Sequence, residues 1–301
     1  YNLKSEDVYL QSFPYTGLLA STTLKQSSGT KVREQINTWT PLTWAPPEPR
    51  YYPYLSSSVT RDFEVSAPNA GTQYRAVTTS VAAISSVSGL VTDATTTTTE
   101  VATGVNASSS RSERVWHSSV FDDTSNWCLG RPQTTQVIAS HSLTDGNAVT
   151  RTTGGTWDGL MCRLTQSVEE PGNSTLQVTT TTGYDGFGNV NSVAVAGIGM
   201  TSRPTTGYWG TSGQSLRTVT NALSQTTTLN WNDSVGEMAT LTDPNGLATS
   251  WGYDAFGRRT SEVRPDLTST AWTYASCGTC DPRVRYVVQQ QSKTDAGAVI
   301  R

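Results

Sequence analysis

The stretch that decides the fold is residues 230–274, which read NWNDSVGEMATLTDPNGLATSWGYDAFGRRTSEVRPDLTSTAWTY. Four-residue turns of one chemistry recur in it, each with Asp first and Gly last: Asp233-Ser-Val-Gly236, Asp243-Pro-Asn-Gly246 and Asp254-Ala-Phe-Gly257. The Asp side chain hydrogen-bonds the backbone two residues on, and the Gly accepts a positive φ. Such a turn closes a β-hairpin through a bulge. The stretch therefore predicts successive hairpins, with positive φ at Gly236, Gly246 and Gly257.

The runs between these turns have the period of a strand. In residues 247–253, Leu247, Thr249 and Trp251 fall on one face, and Ala248 and Ser250 on the other. A period of two over this length predicts a strand rather than a helix. An aromatic residue ends the strand before two of the turns: Tyr253 directly before Asp254, and Trp231 two before Asp233.

The same turn motif recurs upstream in weaker forms. Tyr184-Asp-Gly-Phe-Gly-Asn189 repeats the Tyr-Asp-x-x-Gly pattern, which predicts a turn at Asp185 and positive φ at Gly188. Trp157-Asp-Gly-Leu-Met-Cys-Arg163 is a degraded copy, and residues 121–131 (FDDTSNWCLGR) form a copy with a longer loop.

These motifs resemble the RHS/YD-repeat family, whose signature is Tyr-Asp-x-x-Gly-Arg followed by alternating residues. Tyr253-Asp-Ala-Phe-Gly-Arg258 matches it in full, whereas residues 184–189 have Asn in place of Arg. The clear copies cover residues 121–274. The resemblance implies a sheet that winds into a hollow shell around a toxic C-terminal segment, or into a barrel in cell-surface relatives.

The predicted fold class is all-β, with consecutive antiparallel hairpins forming one curved, shell-like continuous sheet, since hairpins are stable only when neighbours share faces. We predict an N-terminal β region at 1–113 with a Pro-rich connector at 46–49, and a repeat region at 114–301. The chain opens without Met, so we expect a fragment of a larger protein.

The aromatic residue before each turn is expected to stack on its neighbour in the next repeat. The predicted structural turn residues are Tyr184, Asp185, Gly188, Trp231, Asp233, Gly236, Asp243, Gly246, Tyr253, Asp254, Gly257 and Arg258.

Further strands are predicted at 38–44, 57–65, 72–81, 90–101, 114–121, 134–143, 148–157, 163–168, 176–184 and 190–196. The glycine-rich residues 197–213 are predicted to form an irregular loop. The sequons at Asn106 and Asn173 are interpreted as turns.

Composition excludes several classes of protein. The net charge is −3, 15% of residues are charged, and no basic patch is present, so we expect no nucleic-acid partner. No apolar run reaches the roughly 18 residues of a membrane span. Hydrophobic residues make up 35%, offset by many Thr, 9 Trp and 12 Tyr, which suit a half-buried sheet.

The cysteines are Cys128, Cys162, Cys277 and Cys280. A zinc site at Cys277-Gly-Thr-Cys280 needs two more ligands, and His117 and His141 lack the spacing, so we predict no metal and interpret this motif as a turn with free or bridged thiols. Cys128 and Cys162 each follow a repeat turn, so a bridge is possible if the hairpins stack.

The first function hypothesis is a non-enzymatic segment of a shell that holds a toxin or effector cargo in a large secreted or cell-surface protein of bacterial type, without cofactors. Its partners would be the remainder of the parent polypeptide, or further copies of the chain, along open sheet edges. The alternative is an extracellular carbohydrate-binding scaffold using Tyr51, Tyr52 and Tyr54. A third is a hydrolase near His117, which lies among Ser and Asp residues but without a strained nucleophile turn. Asp281-Pro282 lacks the motif of a self-cleavage site.

Overall fold

A computed structural model describes residues 3–44, 50–101, 108–142, 148–276 and 286–300. The chain divides into two compact units, Tyr1–Thr179 and Thr180–Arg301. No helix in the described ranges combines the length and apolar character needed to cross a bilayer. The connector at 46–49, Asn106, Cys277, Cys280 and Asp281-Pro282 lie outside the described residues.

The first unit is a meander in which each strand pairs antiparallel with the next along the chain. Its strands are β1 (Leu3–Tyr9), β2 (Leu19–Gln26), β3 (Lys31–Trp44), β4 (Arg50–Phe63), β5 (Gln73–Ile84), β6 (Val91–Glu100), β7 (Ser109–Asp123), β8 (Cys128–His141), β9 (Val149–Asp158) and β10 (Arg163–Glu169). The predicted boundary between residues 113 and 114 lies within β7, and the division into an N-terminal region and a repeat region stays a prediction.

The second unit is built in the same way. Its strands are β11 (Val178–Tyr184), β12 (Val190–Gly197), β13 (Met200–Tyr208), β14 (Thr218–Thr220), β15 (Thr226–Asn232), β16 (Glu237–Thr242), β17 (Ala248–Tyr253), β18 (Arg259–Val263), β19 (Ser269–Ser276) and β20 (Tyr286–Lys293). Consecutive strands from β12 to β20 pair antiparallel.

The all-β class and the succession of antiparallel hairpins are confirmed, but the irregular loop predicted at 197–213 is wrong. Residues Met200–Tyr208 form β13, which pairs with β12 and β14. Gly199 and Gly210, both at φ 69°, flank this strand, and Gly207 lies within it opposite Val219. Between Gly199 and Gly210 lie Thr and Tyr residues that favour strands.

Charge alternates across four strands of the first unit. Arg33, Asp62, Arg75 and Glu100 lie opposite one another in register and therefore on one face. Asp62 is 4% exposed, and its carboxylate contacts Arg33 Nε at 2.6 Å and Arg75 Nη1 at 3.5 Å. A buried carboxylate needs such partners, and these two arginines tie β3, β4 and β5 together.

The second unit has two faces of different chemistry. Residues opposite in register share a face, and so do alternate residues of a strand. One face carries Val219, Leu229, Leu241, Trp251 and Trp272, and the other carries Thr218, Thr220, Thr228, Thr240 and Thr242. Among the described residues of the whole chain, Cys128 and Thr270 are fully buried, and Asp62 and Thr98 are nearly so.

Candidate functional site: the turns and the joints between hairpins

The turn at Asp254 shows the repeating unit of the site. Gly257 N–H donates to Asp254 O at 3.0 Å, and Asp254 N–H donates to Arg258 O at 3.0 Å. Asp254 Oδ1 accepts from the N–H of Phe256 (2.9 Å) and of Arg258 (3.0 Å), and Oδ2 accepts from Arg258 Nε at 2.7 Å. This is a type I turn closed by a residue of positive φ, and one carboxylate satisfies both the loop and the returning strand.

The other Asp turns repeat this geometry. Asp185 Oδ1 accepts from Phe187 N–H and Asn189 N–H, each at 2.9 Å. Asp243 Oδ1 accepts from Asn245 N–H at 2.9 Å and from Leu247 N–H at 2.8 Å. The predicted positive φ values are present: 94° at Gly188, 72° at Gly236, 81° at Gly246 and 75° at Gly257.

The turn predicted to begin at Asp233 begins one residue earlier. Gly236 N–H donates to Asn232 O at 2.9 Å, and Asn232 Oδ1 accepts from Ser234 N–H at 3.2 Å. The exposed Asp233 instead pairs with Arg217 Nη2 at 3.0 Å. Asn and Asp present the same acceptor to a turn, so the sequence offered two candidates side by side.

The structure contains turns of this kind that the sequence reasoning missed, at 221–225, 264–268 and 294–298. In the first two, Ser224 (φ 62°) and Leu267 (φ 64°) stand where the other turns have Gly. Hairpin closure imposes the left-handed conformation on these side chains, so a search for Gly does not find them. The spacing was the available signal: Asn221, Asn232, Asp243, Asp254 and Arg264 follow one another at ten or eleven residues.

Three aromatic residues near the ends of strands make a different contact from the predicted stacking. Tyr253 Oη donates to Met238 O at 2.8 Å, Tyr274 Oη donates to Arg259 O at 2.9 Å, and Trp231 Nε1 donates to Leu216 O at 2.8 Å. Each acceptor carbonyl lies 15 residues earlier in the chain. We count the hairpins here as β15–β16, β17–β18 and β19–β20. The ring then lies on one hairpin and the carbonyl on the preceding one, so the bond fixes the relative position of the two hairpins. We call this contact, with the Arg described next, a joint.

Arg258 completes the joint between its own turn and the next repeat. Its guanidinium contacts the Asp254 carboxylate and lies 4.5 Å from the ring centroid of Tyr274 and 5.2 Å from that of Phe256. Cation–π contact with a partly exposed ring contributes about 0.5–1 kcal/mol. The terminal Arg of the signature therefore links the turn that it closes to the aromatic residue of the following hairpin.

A joint of the same form lies in the first unit, where the sequence motif is degraded. Trp157 Nε1 donates to Pro132 O at 2.9 Å, and the guanidinium of Arg131 lies 5.4 Å from the Trp157 ring. A disulfide joins Cys128 to Cys162 across the same two hairpins, with an S–S distance of 2.03 Å. Here Cys162, at φ 56°, stands in the left-handed conformation that Gly has in the other turns.

Glu262 forms the polar centre of the apolar face in the second unit. Its carboxylate contacts Arg259 Nη1 at 3.3 Å and Arg264 Nε at 3.1 Å, and accepts from Trp251 Nε1 at 3.3 Å. The Arg259 guanidinium also lies 5.5 Å from the Trp251 ring and 5.9 Å from the Trp272 ring. The network joins β17, β18 and β19.

The residues of the hydrolase hypothesis have other partners. His117 Nδ1 is 2.8 Å from Thr135 Oγ1, and burial lowers the pKa of His117 below its ordinary value. Ser119 Oγ donates to Gln133 Oε1 at 2.9 Å. Asp122 accepts from Gly130 N–H in β8, and Asp123 accepts from Ser125 N–H in the β7–β8 turn. Asn173 caps its own turn by accepting from Thr175 and Leu176. No cluster of three or more His, Cys, Asp or Glu side chains suited to a metal occurs within the described ranges.

The joint gives a first testable expectation. Tyr253→Phe removes the hydroxyl that donates to Met238 O and leaves the ring, so we expect the free energy of unfolding to fall by about 1 kcal/mol. Tyr208→Phe is the matched control, because that side chain is 54% exposed. Urea denaturation measures both. An equal effect of the two variants would show that the hydroxyl of Tyr253 does not hold the hairpins together.

The carboxylate of Asp254 leads us to expect that the stability of the fold depends on pH. Desolvation opposes ionisation of Asp254, but the hydrogen bonds from the Arg258 backbone, the Arg258 guanidinium and Phe256 N–H hold its pKa below the ordinary value. Ionised Asp254 therefore stabilises the fold above that ordinary pKa, and the stabilisation is lost as pH falls through the lowered one. We expect Asp254→Asn to destabilise most near neutral pH, and its difference from the parent to shrink below about pH 4. Urea denaturation across a pH series measures this, and a difference independent of pH would contradict it.

Comparison with known proteins agrees with this geometry. The RHS repeat family model matches residues 233–269, which cover the turns at Asp243 and Asp254. No curated protein matches the chain. The crystal structure of TcdB2-TccC3 is similar, with a TM-score of 0.63 and 10% identity over 95% of this chain and 21% of that chain.

Two further solved structures have the same fold. TcdB2-TccC3 without its hypervariable C-terminal region gives a TM-score of 0.58 and 12% identity over 95% of this chain and 17% of that chain. The Photorhabdus luminescens Tc holotoxin pore gives 0.56 and 11% over 93% and 16%. The chain thus spans about a fifth or less of the length of the structures it matches. Residues 233–269 therefore match the RHS repeat model, and the chain shares the fold of these solved structures.

Proposed function

We propose that this chain is a non-enzymatic wall segment of an RHS-type shell, which encloses or presents a toxin or effector cargo in a large secreted or surface protein of bacterial origin. The observation that carries the proposal is the repeated joint. Ring-to-carbonyl bonds from Trp157, Trp231, Tyr253 and Tyr274 each fix one hairpin to the preceding one, and where the signature is complete an Arg adds to the joint. Such joints extend a wall strand by strand and need no catalytic group.

The burial of side chains supports a wall. In each unit the strands pair side by side, and among the described residues the buried ones are Cys128, Asp62, Thr98 and Thr270. Both faces of each sheet therefore stay largely accessible. A layer of this kind separates two spaces, which is what containment requires.

The outer strands and the disulfide support the expected partners and compartment. Val287 and Val288 of β20 are 40% and 57% exposed, and β1 is exposed along most of its length. Strands at the end of a meander present unpaired backbone groups that accept another strand. We propose that the remainder of the parent polypeptide, or further copies of the chain, cover them. The Cys128–Cys162 bridge supports an extracellular location, because disulfides persist in oxidising compartments.

The native source protein tests the proposal. An antibody against residues 230–274 should detect a denatured polypeptide far larger than 32.3 kDa. Protease treatment of the native particle should spare a cargo that becomes sensitive once the particle is denatured. A native polypeptide of this chain's own mass, or a cargo cleaved as fast before denaturation as after it, would contradict containment.

A carbohydrate-binding scaffold is the second candidate, and one exposed ring pair favours it. Phe13 (76% exposed) and Tyr51 (43% exposed) meet edge to face with their ring centroids 5.3 Å apart. The loop 10–18 that presents Phe13 shares three backbone hydrogen bonds with the loop 64–72, where Ala67 stands in place of the ring. Retention on insoluble cellulose or chitin that is lost in Phe13→Ala and kept in Ala67→Gly would support binding. Equal retention of both variants would refute it.

A further inference from the structure

The disulfide lies where two hairpin turns meet, and its two sulfurs differ in environment. Cys128 begins β8 directly after the β7–β8 turn and is 0% exposed. Cys162 ends the β9–β10 turn, beside Leu160 and Met161, which are 71% and 61% exposed. A small thiol approaching from solvent therefore meets the Cys162 side of the bond first.

A cation is placed on the same bond. Arg131 Nε lies 3.1 Å from Cys162 Sγ, and its guanidinium is held over the Trp157 ring at 5.4 Å. A guanidinium beside the bond stabilises the thiolate that forms there when the bond breaks, and a stabilised thiolate leaves faster in disulfide exchange.

We propose that Cys128–Cys162 is a redox latch, closed in an oxidising medium and opened in the folded protein by thiol attack on Cys162. The thiolate of a small thiol such as glutathione forms a bond to Cys162 Sγ, the Cys128–Cys162 bond breaks, and Cys128 leaves as a thiolate beside Arg131. A second glutathione thiolate then attacks the glutathione sulfur of the mixed disulfide and releases Cys162. Two glutathione molecules are oxidised to one glutathione disulfide, and the protein gains two thiols.

The opened latch has a local consequence. The bond from Trp157 Nε1 to Pro132 O and the β8–β9 strand pairing do not depend on the disulfide. Reduction therefore frees the turns of the β7–β8 and β9–β10 hairpins from each other while the strands stay paired. The inference does not rest on the proposed cargo, since it concerns one bond and its neighbours.

The test uses the intact polypeptide that carries this chain, with Cys277→Ser and Cys280→Ser so that Cys128 and Cys162 are the cysteines left within these 301 residues. The folded protein is treated with millimolar glutathione, quenched with acid, and mapped by mass spectrometry. We expect glutathione on Cys162, and we expect Arg131→Gln to slow the reaction about five-fold or more. Arg163→Gln is the matched control, since Arg163 directly follows Cys162 in the chain but pairs with Asp158 at 2.8 Å. The rate of this variant should stay within about two-fold of the parent.

Glutathione found on Cys128, or a bond that reacts only after urea is added, would overturn the proposal. So would equal rates in the parent and Arg131→Gln. Circular dichroism shows whether Arg131→Gln folds. If it does not, the site of glutathione attachment in the parent decides the question alone.

Discussion

Removal of the Cys128–Cys162 bridge should lower the free energy of unfolding by about 4 kcal/mol. The bond closes a segment with a sequence separation of 34. In the chain-entropy account, a cross-link over that separation lowers the conformational entropy of the unfolded chain, which stabilises the folded state by about 4 kcal/mol. We expect this loss in the double variant Cys128→Ala with Cys162→Ala, measured by urea denaturation against the oxidised parent.

The control for this prediction is the reduced parent, which should unfold with the double variant because both lack the bond. The variant Cys277→Ser with Cys280→Ser serves as a background in which only one pair can form. A double variant as stable as the oxidised parent would show that the bridge adds nothing to the joint between the two hairpins.

Replacing Gly246 with Val should lower the free energy of unfolding by about 2 kcal/mol, because a β-branched residue resists positive φ. Gly246 has a φ of 81°, and a Cβ built there meets nothing within 4 Å. The effect would therefore come from the backbone and not from a clash. Gly257→Val, at φ 75°, should behave alike.

Gly186→Val is the matched control, since Gly186 lies in a turn of the same kind, also with nothing within 4 Å of an added Cβ, but without positive φ. Thermal unfolding followed by circular dichroism compares the three variants. If Gly246→Val melts with Gly186→Val, the left-handed conformation assigned to the fourth turn position does not limit stability.

Local chemistry made much of the fold predictable. An Asp followed three residues later by Gly defines a turn within five residues, so Asp243 and Asp254 were found from the sequence alone. Asn232 was not, because its side chain offers the same acceptor as the neighbouring Asp233. Leu267 was not, because its positive φ comes from hairpin closure and not from its own preference.

The joints are harder to predict from the sequence, because they depend on which hairpins lie close together in space. The sequence places Tyr253 at the end of a strand, but the carbonyl that it reaches, on Met238, belongs to another strand and carries no side-chain signal. The equivalent turn positions of Cys128 and Cys162 made a bridge conceivable, yet only the stacking of the two hairpins brings the sulfurs to bonding distance. β13 is also hard to predict, because the glycines at 199, 207 and 210 give this segment the composition of a loop, and only its pairing with β12 and β14 makes it a strand.

The central claim is that this chain is a piece of an extended wall. Light scattering on the isolated 301-residue chain tests this claim most directly. Uncovered outer strands should pair with other chains, so the account predicts a mass above 32.3 kDa that rises with concentration. A stable, monodisperse species of 32.3 kDa at every concentration would contradict it, because the outer strands would then need no neighbour.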